Sequence, residues 1–188
     1  DLDRAVLAQA LELASAERPL AINISARSLG DEQLLHDIAG AAAGGLPPEA
    51  LTFEVTETSA IADLEQARRF ADALELHGFK LALDDFGTGL SSLGYLKHIP
   101  AQVLKIDMEF IRGLTANSFD QYLVKTIVDI AHRLGQKTVA EGVEDAATLA
   151  MVAYLGVDMA QGYFIGRPAP AAEEPPPARM DTAVREAL

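Results

Sequence analysis

The stretch that decides the fold runs from Leu81 to Leu96 and reads LALDDFGTGLSSLGYL. Its first residues are apolar, as in a buried parallel strand, and they lead into the adjacent aspartates Asp84 and Asp85. The chain then turns at Gly87-Thr88-Gly89. Because neighbouring like charges repel each other, a strand with only a folding role would not be expected to end in this way. The pair has two candidate roles, as a turn or helix cap and as a cation site.

Strand and helix patterns alternate on both sides of this stretch. Strands that alternate with helices of roughly 10–15 residues predict parallel βαβ units, and so either a doubly wound open sheet or a (β/α) barrel. A complete eight-stranded barrel usually needs about 250 residues, so this 188-residue chain would be two strands short of one. The predicted strands are 19–25, 51–57, 79–85, 102–107, 136–142 and 158–162. The predicted helices are 3–15, 31–45, 63–78, 91–99, 119–135 and 146–156.

Composition limits the possible classes of protein. A chain of 188 residues that is 49% apolar suits a globular domain, which we place at residues 1–170, followed by a disordered Pro- and Ala-rich tail at 171–188. The absence of cysteine excludes disulfides and thiolate metal sites and fits a reducing compartment. A net charge of −13 argues against a nucleic-acid surface. An anionic ligand would therefore need local positive charge, from Lys and Arg or from bound cations.

Polar residues recur at the C-terminal end of every predicted strand. The C-terminal ends of parallel strands form one face, and active sites lie on that face. We therefore expect these side chains to converge on one patch. They are Asn23, Glu54, Glu57, Asp84, Asp85, Lys105, Asp107, Glu141, Glu144 and Gln161.

The chemistry of this patch favours hard divalent cations. Carboxylates and an amide, without His or Cys, are ligands for Mg²⁺, Mn²⁺ or Ca²⁺ rather than Zn²⁺. Four carboxylates could hold two ions about 3.5–4 Å apart, with one aspartate bridging them. Several of these residues also have a simpler interpretation. Lys105 and Asp107 could form a local ion pair, and Glu141 and Glu144 could be acids at the start of a helix, where negative charge is favourable. The convergence of six strand ends favours the cation site.

Five segments in series resemble the EAL family, the bacterial phosphodiesterases of cyclic di-GMP. They are NIS, FEVTE, LALDDFGTGLSSLGYLKHIPAQVLKID, VAEGVE and QGYFIGRP, in the order and approximate spacing of that family, and the resemblance covers roughly Asp1 to Pro170. It implies a modified (β/α)8 barrel that hydrolyses cyclic di-GMP to linear pGpG with two Mg²⁺ or Mn²⁺ ions. Ca²⁺ is then expected to inhibit.

The resemblance also implies roles for individual residues. Lys105 matches the lysine that contacts the nucleophilic water, and Glu141 matches a metal ligand or general base. Glu57 matches the glutamate that anchors the loop after the aspartate pair. The implied metal ligands are Asn23, Glu54, Asp84 as the bridge, Asp85 and Glu141. The implied supporting or substrate-binding residues are Glu57, Asp107, Glu144, Gln161, Ser91 and Ser92.

Two departures from the family pattern stand out. The strand that carries the namesake Glu-Ala-Leu is missing, and with it a metal ligand and a substrate-binding arginine. The triplets at 49–51 and 186–188 lie in a turn and in the tail and do not replace it. Leu90 stands where the family usually has tyrosine. We therefore expect the first two barrel strands to be absent and the isolated chain to have little or no activity.

Two functions remain open at this point. The first is a cyclic di-GMP phosphodiesterase; the second is an inactive receptor that binds cyclic di-GMP and signals through dimerisation. Because the family's acidic ligands are present wherever the resemblance covers them, the enzyme is favoured. The resemblance further implies a homodimer that does not bind nucleic acid and is fused to sensory or GGDEF domains. Its location would be cytoplasmic, including the cytoplasmic part of a membrane-anchored signalling protein.

Overall fold

The computed structural model describes residues 2–88 and 93–168, with the side chain of Leu93 left out. The chain divides into two compact units. The first unit comprises Asp1–Asp84 and Gly89–Gln102, and the second comprises Asp85–Thr88 and Val103–Leu188. Over the described residues, every helix is too short or too polar to cross a membrane.

The first unit is built on parallel strands that follow chain order. Strand β1 pairs with β2, and β2 pairs with β3, with Asn23 opposite Glu54 and Thr56 opposite Asp84. The α-helices and strands are α1 (Leu2–Leu13), β1 (Leu20–Asn23), α2 (Glu32–Ala43), β2 (Leu51–Thr56), α3 (Glu57–Ala62), α4 (Leu64–Leu76) and β3 (Lys80–Phe86). Short 3₁₀ helices span Ala26–Ser28, Pro48–Ala50 and Leu93–Lys97.

Helix α4 shows how the sequence sets these elements. Asp63 accepts a hydrogen bond from the Gln66 amide at 2.9 Å and so caps the helix start. Gly78 follows the helix with φ of +79°, a conformation that glycine adopts without a steric penalty. Phe70 of α4 packs edge-on against Phe53 of β2, with ring centroids 6.1 Å apart. The helix predicted at residues 63–78 is therefore confirmed.

The second unit repeats the same arrangement. Its elements are β4 (Val103–Ile106), α5 (Met108–Arg112), α6 (Ser118–Arg133), β5 (Lys137–Ala140), α7 (Ala146–Leu155) and β6 (Met159–Ala160). Strands β4, β5 and β6 are parallel, with Lys105 opposite Val139. The end of β3 also belongs to this unit, where the Asp107 amide donates to the Phe86 carbonyl at 3.3 Å.

Each of the predicted strands is present, with ends that differ by one or a few residues. The structure adds two short helices, α3 and α5, that the sequence did not predict. Each is too short for helical periodicity and begins at a capping side chain at a strand end: Thr56 accepts from the Ser59 amide, and Asp107 accepts from the Glu109 amide. For this reason Glu57 lies in α3, although the pattern placed it in the strand.

Asp158 ties the start of β5 to the start of β6. Its carboxylate accepts hydrogen bonds from Lys137 at 2.7 Å, from His132 at 2.8 Å, and from the Thr138 amide and hydroxyl at 2.9 Å each. Burial alone would raise the pKa of Asp158, but the hydrogen bonds from Lys137, His132 and Thr138 outweigh it and lower the pKa to about 2. The charged carboxylate therefore stabilises the second unit.

We expect Asp158→Asn to lower the free energy of unfolding by about 1–2 kcal/mol at pH 7. The pKa of Asp158 is lower in the folded chain than the ordinary value of 3.8. The stabilisation is therefore complete above about pH 5 and is lost progressively as the pH falls through about 2. Urea unfolding at pH 7, 5 and 3 measures the difference, with Asp129→Asn, which removes an exposed partner of Lys125, as the control. An equal loss at pH 7 and pH 3 would contradict the assignment.

Candidate metal centre

The first unit places three predicted ligands on one face of its strands. Asn23 and Glu54 are opposite each other in the register of β1 and β2. Glu54 is opposite Ala82 of β3, and Asp84 lies two positions after Ala82. Because side chains alternate along a strand, Asn23, Glu54 and Asp84 share a face. Asn23 and Asp84 are the last and third-last residues of their strands, so the shared face is polar near its C-terminal end.

The backbone of Asp85 departs from regular strand geometry. In a regular strand, the side chains of Asp84 and Asp85 would point to opposite faces of the sheet. In the part of the chain that the structure describes, Asp85 is the only non-glycine residue with positive φ, at +54°. Aspartate tolerates this left-handed region better than most residues. The Thr88 hydroxyl donates to the Asp85 carbonyl at 3.0 Å and stabilises the turn. The sequence indicated a sharp turn here but placed it at the glycines that follow.

The second unit holds Lys105 and Glu141 in contact. The Lys105 ammonium lies 2.9 Å from the Glu141 carboxylate, and the two side chains are only 7% and 16% exposed. Lys105 lies in β4, and Glu141 follows β5, with its amide donating to the Ile106 carbonyl at 3.1 Å. A buried ion pair is costly to break because one charge is left without a partner. The two charges are therefore fixed with respect to each other.

The oxygens of Asp85 and Glu141 fit a divalent cation. One carboxylate oxygen of each lies within 4.8 Å of the other. Two oxygens bound to one Mg²⁺, Mn²⁺ or Ca²⁺ ion lie about 3–5 Å apart, since metal–oxygen distances are about 2.0–2.6 Å. The donor set contains oxygen only, as hard cations require. The arrangement of the residues present therefore agrees with the predicted chemistry.

Glu57 is buried, at 2% exposure, and accepts a 2.7 Å hydrogen bond from the Tyr95 hydroxyl. Burial raises the pKa of Tyr95 well above its usual range, and the Glu57 carboxylate raises it further. Tyr95 therefore remains a neutral donor. Sequence reasoning assigned Glu57 to anchoring the loop after the aspartate pair but did not identify Tyr95, which lay inside a predicted helix without a distinguishing signal.

The remaining predicted residues lie in less central positions. Asp107 caps α5 through the Glu109 amide at 2.7 Å. Glu144 accepts from Arg112 at 3.0 Å in an exposed ion pair. The backbone N–H of Gln161 donates to the Ala140 carbonyl at 2.8 Å, and this bond holds the end of β6 against β5. Ser91 and Ser92 lie outside the described residues.

Sequence reasoning also missed Gly162, which directly follows Gln161. A Cβ atom at this position would lie 2.3 Å from the Val143 carbonyl oxygen and 2.4 Å from the Val143 nitrogen. Only glycine allows so close an approach of two backbone segments. The signal was present, because an isolated glycine at the end of a strand often marks a close backbone contact.

The fold and the site together define an α/β protein of parallel strands with an acidic, oxygen-donor cluster at the C-terminal ends of strands. The family model described as "EAL domain" matches residues 1–168. The chain therefore belongs to the EAL domain family.

Named relatives and solved structures agree with this assignment. The cyclic di-GMP phosphodiesterase PdeB of Shewanella oneidensis is 40% identical over 154 residues, which are 81% of this chain and 18% of PdeB. The solved structure of the PaMucR phosphodiesterase in complex with c-di-GMP is 38% identical, with a TM-score of 0.79, over 92% of this chain and 71% of that chain. A manganese and cyclic di-GMP complex of Klebsiella pneumoniae BlrP1 is 33% identical with a TM-score of 0.78, over 89% and 44% of the two chains. The chain spans about a fifth of the length of the curated relatives it matches.

Proposed function

We propose that the protein containing this chain hydrolyses cyclic di-GMP to linear pGpG. The observation that carries the proposal is the cluster of Asp85, Glu141 and Lys105. Asp85 and Glu141 place carboxylate oxygens within 4.8 Å of each other, and Lys105 lies 2.9 Å from Glu141. Cyclic di-GMP is proposed as the substrate because the chain belongs to the EAL family and its relatives are named for this compound.

The proposed cation ligands are carboxylates and one amide at the ends of the predicted strands. When bound, two Mg²⁺ or Mn²⁺ ions would polarise a phosphate and lower the pKa of a water molecule. They would also offset the net charge of −13, which otherwise repels an anionic substrate. Ca²⁺ is expected to inhibit. The proposed ligands are Asn23, Glu54, Asp84, Asp85 and Glu141.

Lys105 and Glu141 act on the attacking water in this proposal. Hydrolysis to pGpG consumes one water: its oxygen bonds to phosphorus, the P–O3′ bond breaks, and O3′ takes a proton. Glu141 accepts a proton from the water. Lys105, held in place by Glu141, donates a hydrogen bond to the same oxygen and stabilises negative charge on the phosphate. Supporting roles are proposed for Glu57, Asp107, Glu144, Gln161, Ser91 and Ser92.

The longer protein is proposed to be a homodimer located in the cytoplasm, with this domain fused to sensory or GGDEF domains. Relatives about five times longer than the matched segment support a multidomain protein. One of them is named a bifunctional diguanylate cyclase and cyclic di-GMP phosphodiesterase.

The test is chromatographic detection of pGpG after incubation of the full-length protein with cyclic di-GMP. With Mg²⁺ or Mn²⁺ we expect linear pGpG, and with EDTA none. Calorimetry on the same sample separates the two functions. Tight binding of cyclic di-GMP without any pGpG would overturn the enzymatic proposal in favour of the receptor, and neither binding nor turnover would overturn both.

A further inference from the structure

We propose that Asp3 is a positioning residue for Asn23 and that it acts through Ser25. This inference rests on the proposed role of Asn23 as a cation ligand. Asp3 lies in the first turn of α1 and is 8% exposed, so it is a buried carboxylate to which the proposed reaction gives no role.

Asp3 holds Ser25 by two hydrogen bonds. Its Oδ2 atom accepts from the Ser25 amide at 2.9 Å and from the Ser25 hydroxyl at 2.7 Å. Burial by itself raises the pKa of Asp3, but hydrogen bonds from Ser25 and Ser28 outweigh it, so the pKa lies below its usual value. The charged form is therefore the one that holds Ser25. Charge-assisted hydrogen bonds of this kind are stronger than neutral ones.

Ser25 controls the point at which β1 ends. Asn23 is the last residue of the strand, and the Ile24 amide makes a further bond of 2.8 Å to the Glu54 carbonyl. The chain then leaves the sheet for the 3₁₀ helix Ala26–Ser28, with Ser25 as its N-cap residue. The side chain of Ser25 makes no capping hydrogen bond to this helix, and its hydroxyl donates to Asp3 instead. Asp3 thus fixes Ser25, the residue that follows the last backbone hydrogen bond between β1 and β2.

The consequence for Asn23 follows from its position. Strand ends fray where backbone hydrogen bonds stop, and Asn23 is one residue from that point. With Ser25 held, Asn23 keeps its register opposite Glu54, and the two side chains stay on one face. Residues that orient a ligand in this way typically change metal affinity by about 10–100-fold when they are replaced.

A purely structural role would be to dock α1, and the structure offers a matched control for that role. Arg4, the next residue of α1, donates to Asp37 of α2 at 2.8 Å. Asp37→Asn therefore weakens a second polar anchor of the same helix without touching β1. Leu7 and Ala10 are buried and keep α1 packed in both variants.

Two measurements on the full-length protein test the inference. In metal-free protein, hydrogen exchange at the Ile24 amide should become at least about tenfold faster in Asp3→Asn and stay unchanged in Asp37→Asn. Mn²⁺ affinity, measured by the EPR signal of free Mn²⁺, should fall about tenfold in Asp3→Asn and less than about twofold in Asp37→Asn. If Asp3→Asn does not fold, Ser25→Ala, which removes one of the two hydrogen bonds, should show the same changes at about threefold.

Unchanged exchange and affinity in Asp3→Asn, or equal losses in both variants, would overturn the inference. Failure of the proposed function gives a different result. If the wild-type protein binds no Mn²⁺, the proposed cation site is wrong. The exchange measurement then still tests whether Asp3 holds the end of β1.

Discussion

Glu141→Gln is expected to reduce cyclic di-GMP hydrolysis by the full-length protein by at least about a thousandfold. Glutamine keeps the size of the side chain but removes its charge. The variant therefore loses a proposed proton acceptor, a proposed cation ligand and the partner of Lys105 at 2.9 Å. Initial rates of pGpG formation at saturating Mg²⁺ measure the effect.

Loss of folding must be separated from loss of chemistry, because Glu141→Gln leaves the buried Lys105 ammonium without its ionic partner. The double variant Lys105→Met/Glu141→Gln removes both charges, and we expect it to be more stable than Glu141→Gln and equally inactive. Asp129→Asn, at an exposed ion pair on α6, serves as the charge-matched control and should retain activity within about twofold. Activity of Glu141→Gln within tenfold of wild type would contradict the assignment.

Gly162→Ala is expected to lower the free energy of unfolding by at least about 3 kcal/mol, or to prevent folding. The added Cβ atom would lie 2.3 Å from the Val143 carbonyl oxygen. The obstacle is backbone, which cannot move aside as a flexible side chain can. The Val143 amide and carbonyl also bond to Gln161 and Phe164 at 3.0 and 3.1 Å, so the two segments cannot separate without losing these bonds.

Gly166→Ala is the matched control, since no atom lies within 4 Å of its added Cβ. Its free energy of unfolding should change by less than about 0.5 kcal/mol. Urea unfolding of both variants gives the comparison. A loss below 1 kcal/mol for Gly162→Ala would show that the contact with Val143 is looser than the structure has it.

Local patterns were sufficient to predict the order of strands and helices. Apolar runs such as 81–83, which lies between Lys80 and the aspartate pair, identify buried strands. Asp63 and Gly78 mark the ends of α4. The same patterns could not decide between an open sheet and a barrel, because that difference depends on how strands close on one another and not on any local spacing. The comparisons with known proteins instead identified the family to which the chain belongs.

The candidate site was predictable as a list of residues but not as a set of contacts. Position at strand ends selected Lys105 and Glu141 separately, and their ion pair depends on the register of β4 and β5. The contact of Asp3 with Ser25 spans 22 residues and has no motif. The left-handed conformation of Asp85 depends on the turn around it, which the neighbouring glycines only suggested.

The central claim is that Asp85 and Glu141 bind a divalent cation, and Mn²⁺ binding by Asp85→Asn tests it most directly. Asparagine tolerates the left-handed backbone of this position, so the substitution removes charge and leaves the turn intact. In an EPR titration of the full-length protein, wild type should bind two Mn²⁺ ions per domain, and Asp85→Asn should bind at least about tenfold more weakly. Equal Mn²⁺ affinity in Asp85→Asn and wild type would contradict the claim.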